Sequence, residues 1–108
     1  MRKKVKITVL KKEFYPEIAD KYLVEGREAG PCPELEVGDT FIYEGGAVMP
    51  ENFCPWAWIE VYNKANNMAA NAENNWYKKN VSIACCTDGV RPVIFLLEAL
   101  DEINTEEL

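Results

Sequence analysis

Apolar and polar residues alternate near the start of the chain. Between Lys4 and Leu10, the side chains of Val5, Ile7 and Val9 share one face, and Lys4, Lys6 and Thr8 share the other. A period of two predicts a half-buried strand. The period changes in "YPEIADKYLVEG". Pro16 suits a first helical position, Glu17 and Asp20 favour an N-terminal half, and Gly26 suits a stop. Ile18, Ala19, Tyr22 and Leu23 then form the apolar face of a short helix. Gly38-Asp39 marks a turn into a strand over Thr40 to Tyr43. The longest helix is expected from Pro55 to Ala72, with a stripe of Trp58, Val61, Ala65, Met68 and Ala72. Asn66, Asn67 and Asn71 are poor helix formers, so this helix is expected to fray or end early. "GPCP", "AVMPENF" and "NAENNWYKKN" read as irregular connections. Val81 to Cys86 and Pro92 to Leu100 read as the last two strands.

The order β-α-β-α-β-β predicts one small α+β domain over residues 1–100. Its sheet is expected to be mixed, mainly antiparallel, and to end in a C-terminal β-hairpin. A partly closed small barrel is the alternative. Residues 101–108 read as an acidic, solvated tail.

Composition narrows the function classes. The chain has 108 residues and a net charge of −6, and its only basic cluster is Arg2, Lys3 and Lys4. A surface that tracks phosphates needs clustered Lys and Arg, so nucleic acid is not an expected partner. No apolar run approaches the ~20 residues of a membrane span, and the first residues lack the apolar core of a signal peptide. A cytoplasmic protein with no membrane partner is expected, which would keep its thiols reduced. There is no histidine. That absence excludes Ser-His and Cys-His pairs and all imidazole metal ligands.

The remaining chemistry lies in Cys32, Cys54, Cys85 and Cys86. Asp88-Gly89 is a strong signal for a two-residue type I′ hairpin loop. In that register Cys86 faces Arg91, Cys85 faces Pro92 and Ala84 faces Val93. Neighbours along a strand point to opposite faces. Cys85 then joins Val81, Ile83, Ile94 and Leu96, the oilier face, and is expected in the core. Cys86 joins Ser82, Ala84, Arg91 and Val93. A guanidinium beside a thiol favours the thiolate, which makes Cys86 the candidate reactive group. In the plainer alternative, Arg91 pairs with Asp88 across the turn and Cys86 packs inertly. A longer loop "TDGVR" would shift the register by one and exchange the two cysteines.

Cys54 precedes Pro55, near the N-cap of the long helix, where the helix dipole favours a thiolate. It lacks the second cysteine of a C-x-x-C motif, so any resolving thiol must come from elsewhere, Cys86 or Cys32. Cys54 as a small capping residue is the plain alternative. Trp56 and Trp58 diverge by about 200° around a helix. One can be core, and the other lines a pocket or an interface.

"GPCP", "VGDTF", "FCPWAW" and "CCTDGVRPVIF" occur in this order. With them the chain resembles a family of small bacterial and archaeal proteins, over nearly its whole length. The resemblance implies a signature of Cys32, Cys54, Cys85 and Cys86 with Asp88, Gly89, Arg91 and Pro92. It implies no activity, cofactor or substrate.

These readings converge on a thiol site for redox chemistry, sulfur handling or small-ligand binding. Cys54, Cys86 and Arg91 would carry the chemistry, and Trp56, Asp88 and Cys32 the binding. A small molecule or a protein is the expected partner, and no cofactor is named. Two alternatives remain. One is a non-catalytic assembly module that presents Trp56, Trp58, Trp76 and Tyr77. The other is a metal site ligated by Cys32, Cys54 and Cys86.

Overall fold

The computed structural model describes residues 2–72 and 75–103. It is an α+β fold, with β1 (Lys3–Lys12), α1 (Pro16–Tyr22), β2 (Thr40–Tyr43), α2 (Pro55–Ala69), β3 (Val81–Cys85) and β4 (Val93–Ile103), and a 3-10 turn over Gly26–Ala29. The four strands form one sheet in the order β2-β1-β4-β3. All three strand pairs are antiparallel, so the expected parallel component is absent among the described residues. No described helix is long and apolar enough to cross a membrane.

The alternation along β1 does what it predicts. Val5, Ile7 and Val9 are buried against α2, with Phe41, Tyr43, Phe95 and Leu97 from neighbouring strands. On the helix the buried residues are Ala57, Val61, Ala65 and Ala69, a repeat of four. This is a smaller stripe than expected, because Ala57 and Ala69 take places assigned to Trp58 and Met68. Small side chains let the helix lie close to the sheet. Trp58, Tyr62 and Met68 pack along its margins. The helix ends at Ala69, before the expected Ala72, and Asn71 adopts a left-handed conformation at φ 61°. Asn tolerates that region better than other non-glycine residues.

α1 stays near one end of the sheet and buries only Ala19. Ile18 and Tyr22, expected on an apolar face, are exposed because no described element covers them. Gly26 does not stop this helix but opens the 3-10 turn. Arg27 pins the turn to α1, donating from its backbone N–H and from Nε to the Asp20 carboxylate at 2.7 and 2.8 Å. That pairing holds the Asp20 carboxyl below the usual carboxylate range. The turn before β2 is hooked onto β1 through Val9, whose N–H donates to the Asp39 carbonyl at 2.9 Å and whose carbonyl accepts from Gly38 at 2.8 Å. β4 continues to Ile103, so the first three residues of the expected tail are strand, and residues 104–108 lie outside the described residues.

Helix α2 covers only one face of the sheet. Val81, Ile83 and Cys85 of β3 and Ile94 and Leu96 of β4 occupy the other face and are half-buried.

Candidate functional site

The connection from β3 to β4 differs from the expected two-residue loop. Cys85 pairs with Ile94 and Ala84 with Phe95, so the register is two residues away from the one that Asp88-Gly89 predicts. Neither Asp88 nor Gly89 has the positive φ that a type I′ turn needs. The Asp88 side chain builds a wider turn instead. One carboxylate oxygen accepts the backbone N–H groups of Val90 and Arg91 at 2.9 and 3.0 Å. The other accepts Arg91 Nε at 2.9 Å. Burial works against ionisation of Asp88, but the Arg91 and Val90 N–H groups and the Arg91 guanidinium outweigh it and hold the carboxyl below its ordinary range. Arg91 is therefore engaged by Asp88, as the plainer reading of this turn expected, and does not sit across the ladder from Cys86.

A shift of two residues preserves the faces. Cys85 and Cys86 still diverge along the strand, but the roles of the faces are reversed. The oilier face that carries Cys85 is the one α2 leaves uncovered, and the face of Ser82 and Ala84 is the one packed in the core. Cys85 is half-buried, not core. Cys86 is also half-buried and packs against the core cluster.

Cys86 ends the ladder in an unusual way. Its N–H donates to the Val93 carbonyl at 3.1 Å. In return the Val93 N–H donates to the Cys86 sulfur at 3.3 Å. The side chain has taken the place that a backbone carbonyl holds in a regular antiparallel pair. The same sulfur lies 4.0 Å from the Arg91 carbonyl oxygen. Cys85, the neighbour of Cys86 in sequence, ends the regular β3 ladder and is half-buried as well. Burial pushes the Cys85 thiol up from its ordinary value, and the neighbouring Cys86 adds to the effect.

Cys54 occupies the N-cap of α2, with Pro55 at the first helical position, as the sequence predicts. Its side chain makes no capping hydrogen bond, so it is not there as a substitute for Ser or Asp. The Phe53 ring packs on Phe95 at 5.2 Å, and Phe95 pairs with Ala84, two residues before Cys86. The segments carrying Cys54 and Cys86 thus share one end of the α/β layer. Cys32, in the loop between prolines, packs against the same core. All four cysteines are free thiols. Among the described residues, no three Cys, Asp or Glu side chains are grouped so as to hold a metal ion, so a ligand set of Cys32, Cys54 and Cys86 is not assembled.

The tryptophans separate as their spacing requires. Trp58 is half-buried among Tyr43, Phe53 and Tyr62, at ring separations of 5.4 to 5.9 Å. Trp56 is 72% exposed. Trp76 and Tyr77 contact each other at 6.5 Å, and Tyr77 lies under Lys64, more than two turns along α2 from Trp56. The four aromatic residues do not make one surface.

One feature has no counterpart in the sequence reading. A cavity of about 580 Å³ opens where the C-terminal half of α2 meets the loop before β3. Lys3, Lys64, Lys78 and Lys79 line it. The "YKKN" doublet, set in an acidic chain, was the available signal, but Lys3 and Lys64 reach the site only through the fold. No family model, no curated protein and no solved structure matches this chain.

Proposed function

We propose that the chain works through a vicinal dithiol, Cys85 and Cys86, in thiol–disulfide exchange. The observation that supports this reading is the Val93 N–H aimed at the sulfur of Cys86, 3.3 Å away, with a second half-buried free thiol next to it in the chain at the end of the edge strand β3. Cys86 is the attacking group, because the Val93 N–H aimed at its sulfur is the donor that a negative charge there needs. Cys85 is the resolving group.

The oxidant is a low-molecular-weight disulfide. The Cys86 thiolate attacks one of its sulfurs and expels one thiol, leaving a mixed disulfide on Cys86. Cys85 then loses its proton to solvent and attacks the Cys86 sulfur, expelling the second thiol. The products are a Cys85–Cys86 disulfide and two small thiols. Cys54, at the same end of the layer, is the candidate to pass the disulfide onward. Asp88 and Arg91 shape the turn that holds Cys86 in place.

Phenylarsine oxide, which condenses with two adjacent thiols and releases water, tests the pair directly. One adduct per chain is expected, lost in Cys85→Ser and in Cys86→Ser and retained in Cys54→Ser and Cys32→Ser. An adduct that survives Cys86→Ser contradicts the proposal.

A second reading rests on a different observation. Trp56 and Ile59 lie nearly one turn apart on α2 and are 72% and 60% exposed. Large exposed apolar side chains in a pair mark contact surfaces. In this reading they dock a protein partner, and the cysteines are packing residues. Trp56→Glu would abolish partner capture while leaving arsenical binding intact, which separates the two.

A further inference from the structure

The lysine-lined cavity lies away from the cysteines. It opens beside Val81 and Ser82, at the start of β3, whereas Cys85 and Cys86 stand at its end. Four residue steps of extended chain place them about 13 Å apart.

The chain as a whole carries a net charge of −6, yet no described carboxylate lines this cavity. Four of its 12 basic residues converge there. Lys64 is held in place, donating from Nζ to the Ile83 carbonyl at 2.6 Å and lying 5.8 Å over the Tyr77 ring. The salt bridges of the described residues do not include Lys3, Lys78 or Lys79. Ammonium groups with no counter-charge among the described lining residues repel one another, and they gain when an anion enters.

The rest of the wall is suited to a small molecule. Asn67 and Asn75 add amide groups to the lining, and Met68 and Val81 add apolar atoms. The volume falls within the range of small-molecule sites. The mouth is fixed by backbone as well as by side chains. Asn80 adopts a left-handed conformation at φ 66°, and its carbonyl accepts the Ala99 N–H at 2.9 Å, which ties the lysine-bearing loop to β4.

We infer that this cavity binds a small phosphorylated molecule bearing two or more negative charges. Lysines bind phosphates as compact point charges approached from several sides, and several of them together suit a group that carries more than one negative charge. No arginine lines the cavity. A nucleic-acid strand needs a charged track that continues along a surface, and the four lysines here form one local group in a chain of net charge −6.

Isothermal titration of the full chain with pyrophosphate and with ADP tests the inference, with adenosine as the uncharged control. Saturable binding of both anions is expected, weakening as salt rises, with no heat from adenosine. A double Lys78→Glu, Lys79→Glu variant changes only exposed loop positions and should weaken binding by about tenfold or more. Circular dichroism confirms that the variant is folded, and a single Lys3→Glu variant should lower affinity in the same direction. Absence of saturable binding at millimolar pyrophosphate and ADP overturns the inference. So does binding that the charge reversals leave unchanged, or a single-stranded oligonucleotide that binds more tightly than either small anion.

Discussion

The Val93 N–H donates to the sulfur of Cys86, 3.3 Å away, where a regular ladder would offer it a carbonyl. A cysteine side chain therefore closes the β3–β4 pair, and its position is set by backbone pairing. Cys86→Ala leaves the Val93 N–H without its acceptor in a region packed against the core. That change should cost about 1–3 kcal/mol, measured by urea denaturation. Cys86→Ser keeps an acceptor, although a shorter one, and should cost less.

Asp88 organises the turn that carries the chain from Cys86 back to Val93. Its carboxylate accepts two backbone N–H groups and the Arg91 guanidinium. Asp88→Ala should cost about 1 kcal/mol, because the pair is about a third exposed and water screens it. The folded carboxyl sits below its ordinary value. Its contribution is therefore present above the unfolded carboxylate pKa of about 3.9 and lost as pH falls through the folded value. An acid titration followed by circular dichroism should show wild type losing stability below about pH 4 more steeply than Asp88→Asn.

The Cys85 thiol is held above its ordinary value, first by burial and then by its neighbour. A raised thiol favours the folded state fully below the unfolded pKa of about 8.5, and that contribution fades as pH rises through the folded value. Stability should decline on the alkaline side, and Cys85→Ser should flatten the decline. Iodoacetamide labelling mapped by mass spectrometry should find Cys85 slower than Cys86 at neutral pH. Equal rates would remove the division into attacking and resolving thiols.

The close approach of α2 to the sheet depends on its alanines. Ala65 is fully buried in the middle of the stripe. Ala65→Leu forces extra volume into a packed layer and should cost about 1–3 kcal/mol. Trp56→Ala, on the exposed side, should stay within about 0.5 kcal/mol of wild type. Trp58→Ala should cost about 3 kcal/mol, because it empties the cluster of Tyr43, Phe53 and Tyr62.

Much of the fold was legible in the sequence because periodicity and turn residues report local structure. β1 alternates over most of its length, β2 follows its Gly38-Asp39 turn at the expected residues, and α2 opens on Pro55 as expected. What periodicity cannot report is which face of a strand the helix will cover. Hydropathy alone put Cys85 in the core, because Ile83, Ile94 and Leu96 accompany it. The buried face is decided instead by β1, where Val5, Ile7 and Val9 point toward α2. The hairpin register failed for a related reason. Asp88 and Gly89 have the identity of a type I′ turn, but the Asp88 carboxylate is used on the Val90 and Arg91 N–H groups, which widens the loop. The lysine cavity was illegible because Lys3 and Lys78 are 75 residues apart and meet only in the folded sheet.

Equilibration of the native protein with glutathione buffers of graded redox poise, followed by acid quenching and peptide mapping, is the most direct measurement of the dithiol. The Cys85–Cys86 peptide should convert in a single two-electron step to a species lighter by two hydrogens, while Cys32 remains alkylatable throughout. Glutathione adducts that persist on Cys86 at every oxidising poise, with no internal disulfide formed, would contradict the account.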